Sequence, residues 1–242
     1  MKLYKLDAIN STNTYLRLLS KKTVLNNWTV VSAEYQTTGR GQVDTKWVSK
    51  KGKNLIISIL IKYDVLKIEN QFFLNCAISL GIYNALKKYK LPKLLIKWPN
   101  DIMATNKKLG GILIENSLKY DKIYQSIIGI GLNINQINFS EYPFQAISIK
   151  NLTNTETNRD ILLHELIESI KSQINLLKTE EFNFLHKEYE AVLYQINKPH
   201  MYESNGKIFM GKITGVSKEG KLKIEDENEN NLEFNFKEVK YL

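Results

Sequence analysis

The 242-residue chain reads as an α+β protein, with a mixed central β-sheet and flanking helices over residues 1–193 and a small all-β module over 194–242. Three observations predict this. Strand-like and helix-like periods alternate through the earlier part of the chain. Helical patterns then occupy the stretch from Asp160 to about Tyr194. Beyond Pro199 come short strand-like runs broken by SerAsnGly (204–206), LysGluGly (218–220) and AspGluAsnGluAsn (226–230), the punctuation of a small β-barrel.

Taken in order, SerThrAsn at 11–13 precedes a helical stripe of Tyr15, Leu16, Leu18 and Leu19, with Ser11 or Thr12 placed to cap it. WTVVSAE (28–34) and NLIISILI (54–61) read as strands. Phe72, Phe73, Cys76, Leu80 and Tyr83 recur at helical spacing and predict a buried helix face. LLIKW (94–98), GGILIE (110–115) and IYQSIIGIGLNI (123–134) are strand-like again, with a turn at Asn106–Lys108. Leu163, Leu166, Ile167, Ile170, Ile174 and Leu177 make the strongest helical pattern, and a further helix follows it.

The composition excludes several classes. A single cysteine, Cys76, leaves no internal disulfide framework. No apolar run approaches the ~18 residues of a membrane span, and the start lacks the features of a secretory signal. A cytoplasmic protein without membrane attachment is the expectation. The net charge of +9 favours anionic partners, but only Arg17, Arg40 and Arg159 of the 34 cationic residues are arginine. A nucleic-acid reader interleaves arginine and aromatics on one face; here the lysines are scattered, so no DNA partner is expected.

Four segments carry candidate chemistry. GlyArgGly at 39–41, followed by Trp47, lacks the lysine spacing and following helix of a P-loop, and lacks the third glycine of a dinucleotide fingerprint. Alone it is as readily a flexible turn. As a site, its glycines would admit an anion to the backbone while Arg40 offers a rigid fork of donors, and Trp47 could stack on an aromatic ring. In LysTrpProAsnAsp (97–101), Pro99 ends a strand and leaves Asn100 and Asp101 at its mouth, either as a mere turn or as nucleotide and Mg²⁺ ligands. In KKLGGILIE (107–115), Gly110 and Gly111 would weaken a strand unless something approaches the backbone, and Lys108 is the natural partner of a carboxylate or phosphate. GIGLNIN (129–135) repeats the theme, as a bulge or as the floor of a pocket for a flat ligand. Together they point to one shared pocket for an anionic, partly flat ligand.

In this order the segments resemble the biotin protein ligases: SerThrAsn (11–13), GluTyrGln…GlyArgGly…Trp (34–47), LysTrpProAsnAsp (97–101), LysLeuGlyGlyIleLeu (108–113) and GlyIleGlyLeuAsn (129–133). The resemblance implies a catalytic domain like that of class II aminoacyl-tRNA synthetases, followed by an SH3-like β-barrel. It also implies two steps, in which biotin and ATP form biotinyl-5'-AMP and a lysine of a biotin carboxyl carrier domain then takes the biotinyl group. Biotin and ATP would be substrates, with Mg²⁺, and no tightly bound prosthetic group is expected. No winged helix-turn-helix precedes Ser11, which implies the monofunctional form, a monomer or homodimer that does not repress transcription.

Carried over by position, Ser11, Thr12, Asn13 and Gln36 would hold the biotin head, and Gly111, Leu113, Gly129 and Gly131 would form its slot. Gly39, Arg40, Gly41 and Gln42 would close over biotin and adenylate. Lys108 would bind the biotin carboxylate and the reacting α-phosphate, and Lys108 and Arg40 are the catalytic pair implied. Trp47, Asn100, Asp101 and Asn133 would serve ATP, Asp101 also meeting Mg²⁺ through the nucleotide. The departure is Gln42, Val43, Asp44 and Thr45, where relatives often carry further basic residues; Lys46, Lys50 or Lys51 is expected to supply the missing charge. Lipoate or octanoate ligases share the fold, but the histidine near their glycine triplet has no counterpart, since His164, His186 and His200 all lie late. A non-catalytic nucleic-acid-binding protein is the reading from a different class.

Overall fold

The computed structural model describes residues 1–42, 45–139 and 145–242. Its larger sheet has seven strands in the order β1-β2-β3-β7-β6-β5-β4, formed by β1 (Lys2–Ile9), β2 (Thr29–Gln36), β3 (Leu55–Lys62), β4 (Leu95–Lys97), β5 (Asp101–Ala104), β6 (Lys107–Lys119) and β7 (Lys122–Leu132). The sheet is mixed. β1 and β2 are parallel, which requires a crossover between them, and α1 (Thr12–Lys22) supplies it. All other neighbours are antiparallel.

Alternation along the strands gives the sheet two faces with different fates. On one face lie Leu55, Ile57, Ile59 and Ile61 of β3 with Ile128, Ile130 and Leu132 of β7, all in the main core. They are covered by α2 (Gln71–Lys87) and α4 (Arg159–Lys178), which pack on each other. Leu162, Leu163, Leu166, Ile167, Ile170, Ile174 and Leu177 of α4 are all buried, as their spacing predicts. On the opposite face Val31, Leu60 and Ile127 make a smaller cluster with Leu16 of α1. Beyond that cluster this face stays open as a groove.

After α3 (Ile149–Thr153), α4 and α5 (Phe182–Ala191), the chain forms a second, five-stranded antiparallel sheet, β11-β10-β9-β8-β12. Its strands are β8 (Pro199–Ser204), β9 (Lys207–Val216), β10 (Leu222–Asp226), β11 (Asn231–Phe234) and β12 (Lys240–Tyr241). The three punctuation marks fall at its turns. Asn205 and Gly206 both take positive φ (50° and 75°), as a tight hairpin requires. This sheet is seated on the first unit: the Trp98 indole donates to the Gly220 carbonyl at 2.9 Å, and the Val216 amide donates to Glu190 Oε1 at 2.8 Å. Its Ile213, Val216, Leu222 and Ile224 belong to the same buried cluster as α2 and α4.

Two strands and one α-helix escape the sequence reading. β1 is a half-exposed edge strand without a continuous apolar face, β5 has four residues, and α3 has five. Short elements rest on their neighbours more than on their own pattern. No helix among the described residues is long and apolar enough to cross a membrane.

The α2–α4 contact passes over Gly81, where an added Cβ would lie 2.8 Å from the Ile170 Cα. Backbone cannot step aside as a side chain can. Gly81→Ala is therefore expected to destabilise the fold by about 1–3 kcal/mol through overpacking, despite the ~1 kcal/mol by which alanine favours a helix. Denaturant unfolding of the variant checks this; equal or greater stability would contradict the packing described.

Candidate active site

Strand register builds the groove. Across the sheet, Ile56 of β3 pairs with Gly131 of β7, Gly131 with Gly111 of β6, Gly111 with Asp101 of β5, and Asp101 with Lys97 of β4. A parallel row runs Ser58, Gly129, Leu113. Paired residues present their side chains to the same face, so the glycines lower the floor between a neutral, hydrogen-bonding end and a charged end. The cavity above it has a volume of about 680 Å³, within the usual range for a small-molecule site.

At one end stands the start of α1. Ser11 caps the helix through its hydroxyl, and Thr12 and Asn13 are buried behind it. Thr12 donates to Gln36 Oε1 from its backbone amide at 2.8 Å and from its hydroxyl at 3.0 Å. Ser58 Oγ lies 2.7 Å from the Thr12 hydroxyl and donates to Asn13 Oδ1 at 2.5 Å. Asn13 lies against Gly129, where any Cβ would strike its amide. Apart from the Glu115–Arg40 ion pair at its edge, this end is uncharged and rich in hydrogen-bonding groups.

The other end is cationic. Lys108 lies 2.7 Å from Asp101 Oδ1 as an ion pair, beside Gly111. Lys97 sits beneath the Tyr241 ring with Nζ 4.3 Å from its centroid, and burial pushes its ammonium below its usual pKa while Asp101 opposes that shift. Among the described lining residues the cations are Arg40, Lys46, Lys97, Lys108, Lys237 and Lys240, and the one carboxylate is Asp101. Such a cavity is built for an anion.

The loop over the groove is a narrow hairpin. Gly41 N–H donates to the Thr45 carbonyl at 2.7 Å and Trp47 N–H to the Gly39 carbonyl at 3.0 Å. From it the Trp47 indole lies directly on Gly131, and its buried N–H has no acceptor among the described residues. Arg40 turns to Glu115, with Nη2 donating to Oε1 at 3.0 Å.

Most of the predicted residues converge. Ser11, Thr12, Asn13, Gln36, Arg40, Gly41, Gln42, Trp47, Asn100, Asp101, Lys108, Gly111, Leu113, Gly129 and Gly131 all line the cavity. Two do not. Asn133 is buried behind Lys108, donating to its carbonyl at 3.4 Å, so it supports that strand rather than facing the cavity. Gly39 is a close approach within the loop, where a Cβ would strike the Trp47 carbonyl and lie 2.8 Å from the Gln36 amide nitrogen. Gly110, too, faces the Leu132 side chain and the core. Asn100 lines the cavity but spends its amide on the Ile112 carbonyl at 2.8 Å.

The expected charge compensation is redistributed. Of Lys46, Lys50 and Lys51 only Lys46 lines the cavity, while Lys51 pairs with Asp7 at 2.7 Å; Lys97, Lys237 and Lys240 line it as well. Thr45 closes the hairpin, and Val43 and Asp44 lie outside the described residues. Sequence reasoning missed Ser58, Glu115 and the C-terminal Phe236, Lys237, Lys240 and Tyr241. A serine within NLIISILI and a glutamate ending GGILIE were the available signals; for the C-terminal residues there was none. Among the described residues no three His, Cys, Asp or Glu side chains could together hold a metal.

The contact of Trp47 with Gly131 has a direct test. Gly131→Ala is expected to displace the indole, so that in protein labelled with fluorotryptophan the Trp47 ¹⁹F resonance moves while those of Trp28 and Trp98 stay. An unmoved Trp47 resonance would contradict the placement.

Comparison with known proteins is consistent with this geometry. The model of the Biotin/lipoate A/B protein ligase family matches residues 6–133. The bifunctional ligase/repressor BirA of Escherichia coli is 29% identical over 92% of this chain and 68% of its own length. The biotin–[acetyl-CoA-carboxylase] ligase of Mycobacterium tuberculosis is 26% identical over 60% of this chain and 53% of its own. The structure of the biotin protein ligase from Aquifex aeolicus in complex with biotin and ATP matches with a TM-score of 0.80 at 26% identity, covering 100% of this chain and 98% of that one.

Proposed function

This chain belongs to the biotin/lipoate A/B protein ligase family, and from that premise we propose that its cavity activates biotin with ATP and passes the biotinyl group to a lysine of a biotin carboxyl carrier domain. The observation that carries this is the polarity of the groove: neutral hydrogen-bonding groups at the α1 end, cations at the β4–β6 end, and glycine-floored sheet between. A biotin molecule has the same order of parts. Its ureido ring suits Thr12, Gln36 and their neighbours, its carboxylate suits Lys108, and the ATP phosphates suit the remaining cations.

A lipoyl group fits less well. Its dithiolane ring offers nothing to the hydroxyl and amide groups at the α1 end, and buried polar groups left unpaired disfavour a ligand strongly. The three histidines also stand apart from the cavity. His186 Nε2 lies 2.8 Å from the Val216 carbonyl, and His200 packs on Tyr202.

In the first step a biotin carboxylate oxygen attacks the α-phosphorus of ATP, the bond to the bridging oxygen breaks, and pyrophosphate leaves. Two anions must meet, so the barrier falls when fixed cations stand where the charge gathers. Lys108, held by Asp101, is placed for this, and Lys97 lies one strand further along the same row. In the second step the carrier amine attacks the activated carbonyl, loses a proton and displaces AMP. Trp47 and its hairpin cover the groove, which shields the anhydride from water. The unpaired indole N–H of Trp47 is a donor that a bound ligand can use.

Mg²⁺ arrives with the nucleotide on this reading. An ion carried by phosphates needs only one or two protein carboxylates, and Asp101 is the carboxylate present, so it would be the ligand, with the ion neutralising phosphate charge. Residues 1–193 carry the chemistry, and residues 194–242 wall the nucleotide end.

The direct test incubates the protein with biotin, MgATP and a purified carrier domain, followed by intact mass. Gain of one biotinyl group that requires ATP is expected; lipoylation instead, or no ATP dependence, would overturn the reading. Lys108→Ala is expected to lower biotin-dependent ATP–pyrophosphate exchange by about 10²–10³-fold, the range for loss of one transition-state charge contact. Near-normal exchange would remove Lys108 from the chemistry.

A further inference from the structure

Glu115 has no part in the chemistry above, yet it joins both walls of the groove. It ends the glycine-marked run of β6 on the same face as Gly111 and Leu113. One carboxylate oxygen accepts from Asn13 Nδ2 at 2.8 Å. The other accepts from Arg40 Nη2 at 3.0 Å and lies 3.6 Å from Arg17. The Glu115 side chain is about one-fifth exposed (22%), whereas the two arginines keep roughly twice that (42% and 45%).

These contacts continue an ordered chain. Gln36 accepts from Thr12, the Thr12 hydroxyl touches Ser58, Ser58 donates to Asn13 Oδ1, and Asn13 gives its Nδ2 hydrogen to Glu115. Asn13 is thereby fixed in orientation, since only its nitrogen can face a carboxylate and only its oxygen can receive from Ser58. The chain starts among the groups that face the ureido end and finishes at the guanidinium of the covering hairpin.

We infer that Glu115 is a positioning residue for biotin binding, orienting Asn13 at the pocket and holding the hairpin closed through Arg40, so that the pocket and its cover form one hydrogen-bonded unit. It rests on the proposed biotin-ligase reading. Arg17 is a second cation on the same carboxylate and helps hold Glu115 in this corner. The prediction is selective: biotin binding depends on Glu115, whereas ATP binding, centred on Lys97, Lys237 and Lys240, does not.

The test uses the full chain with Glu115→Gln, Arg40→Gln and the double variant, measuring the KM for biotin and for ATP, biotin affinity by calorimetry, and thermal unfolding. Glu115→Gln keeps the shape but removes the charge that holds Arg40. A rise in biotin KM and Kd of about tenfold is expected, equivalent to one charge-assisted hydrogen bond, with the ATP KM within about twofold and the melting temperature little changed. Because both substitutions break one contact, the double variant is expected to be no worse than the poorer single one. Unchanged biotin binding, additive effects, or a parallel loss of both substrates with lowered melting temperature would each overturn the inference. Should Glu115→Gln not fold, Glu115→Asp, which keeps the charge but shortens its reach to Asn13 and Arg40, carries the same comparison. A wild-type chain that biotinylates no carrier sinks the function reading and this inference with it, whereas an active wild type with an indifferent Glu115→Gln sinks the inference alone.

Discussion

Strand register in the larger sheet is the constraint on which the site depends. A slip of one residue in β7 would exchange Gly129 and Gly131 for Ile128 and Ile130, turning the groove apolar and driving glycine into the core. The core forbids that slip. Ile57 and Ile59 of β3 and Ile128, Ile130 and Leu132 of β7 are all buried at 3% exposure or less against α2 and α4. Burying each such side chain contributes roughly 1.5–3 kcal/mol, so the apolar face holds the register, and the polar face inherits its geometry. The site is aligned by residues that never touch it.

That inheritance explains why glycine recurs where it does. Gly129 admits Asn13, Gly131 admits Trp47, and Gly111 leaves room beside Lys108 and Asp101. Gly110, adjacent in sequence, faces the other way and admits Leu132. Two neighbouring glycines of one motif thus answer to two different demands, one from the site and one from the core.

The electrostatics are likewise collective. Six cations from four separate parts of the chain line one cavity, and its single carboxylate among the described lining residues is bound to one of them. The last strand takes part, because Tyr241 covers Lys97 and its neighbours Lys237 and Lys240 line the same wall. The loop that carries few basic residues is therefore compensated from the C-terminal module as well as from Lys46. Scattered lysines in a linear reading become a patch once the second sheet is seated through Trp98, Glu190 and the shared core.

Much was legible in the chain itself. Apolar spacing placed α2, α4 and the strands β2, β3, β6 and β7, the turn residues marked the hairpins of the second sheet, and Gly129, Gly131, Lys108 and Asp101 stood out as costly or charged residues in apolar surroundings. These features are local, because each follows from a residue type in its own few-residue context. What the tertiary structure alone decided is which face each residue meets and what lies across from it. That Asn133 turns inward while Lys108 turns out, that Glu115 ties Asn13 to Arg40, and that Tyr241 covers Lys97 are pairings over separations of 25 to 144 residues. No local pattern encodes such pairings; they arise when buried apolar faces fix the register and bring distant polar groups together.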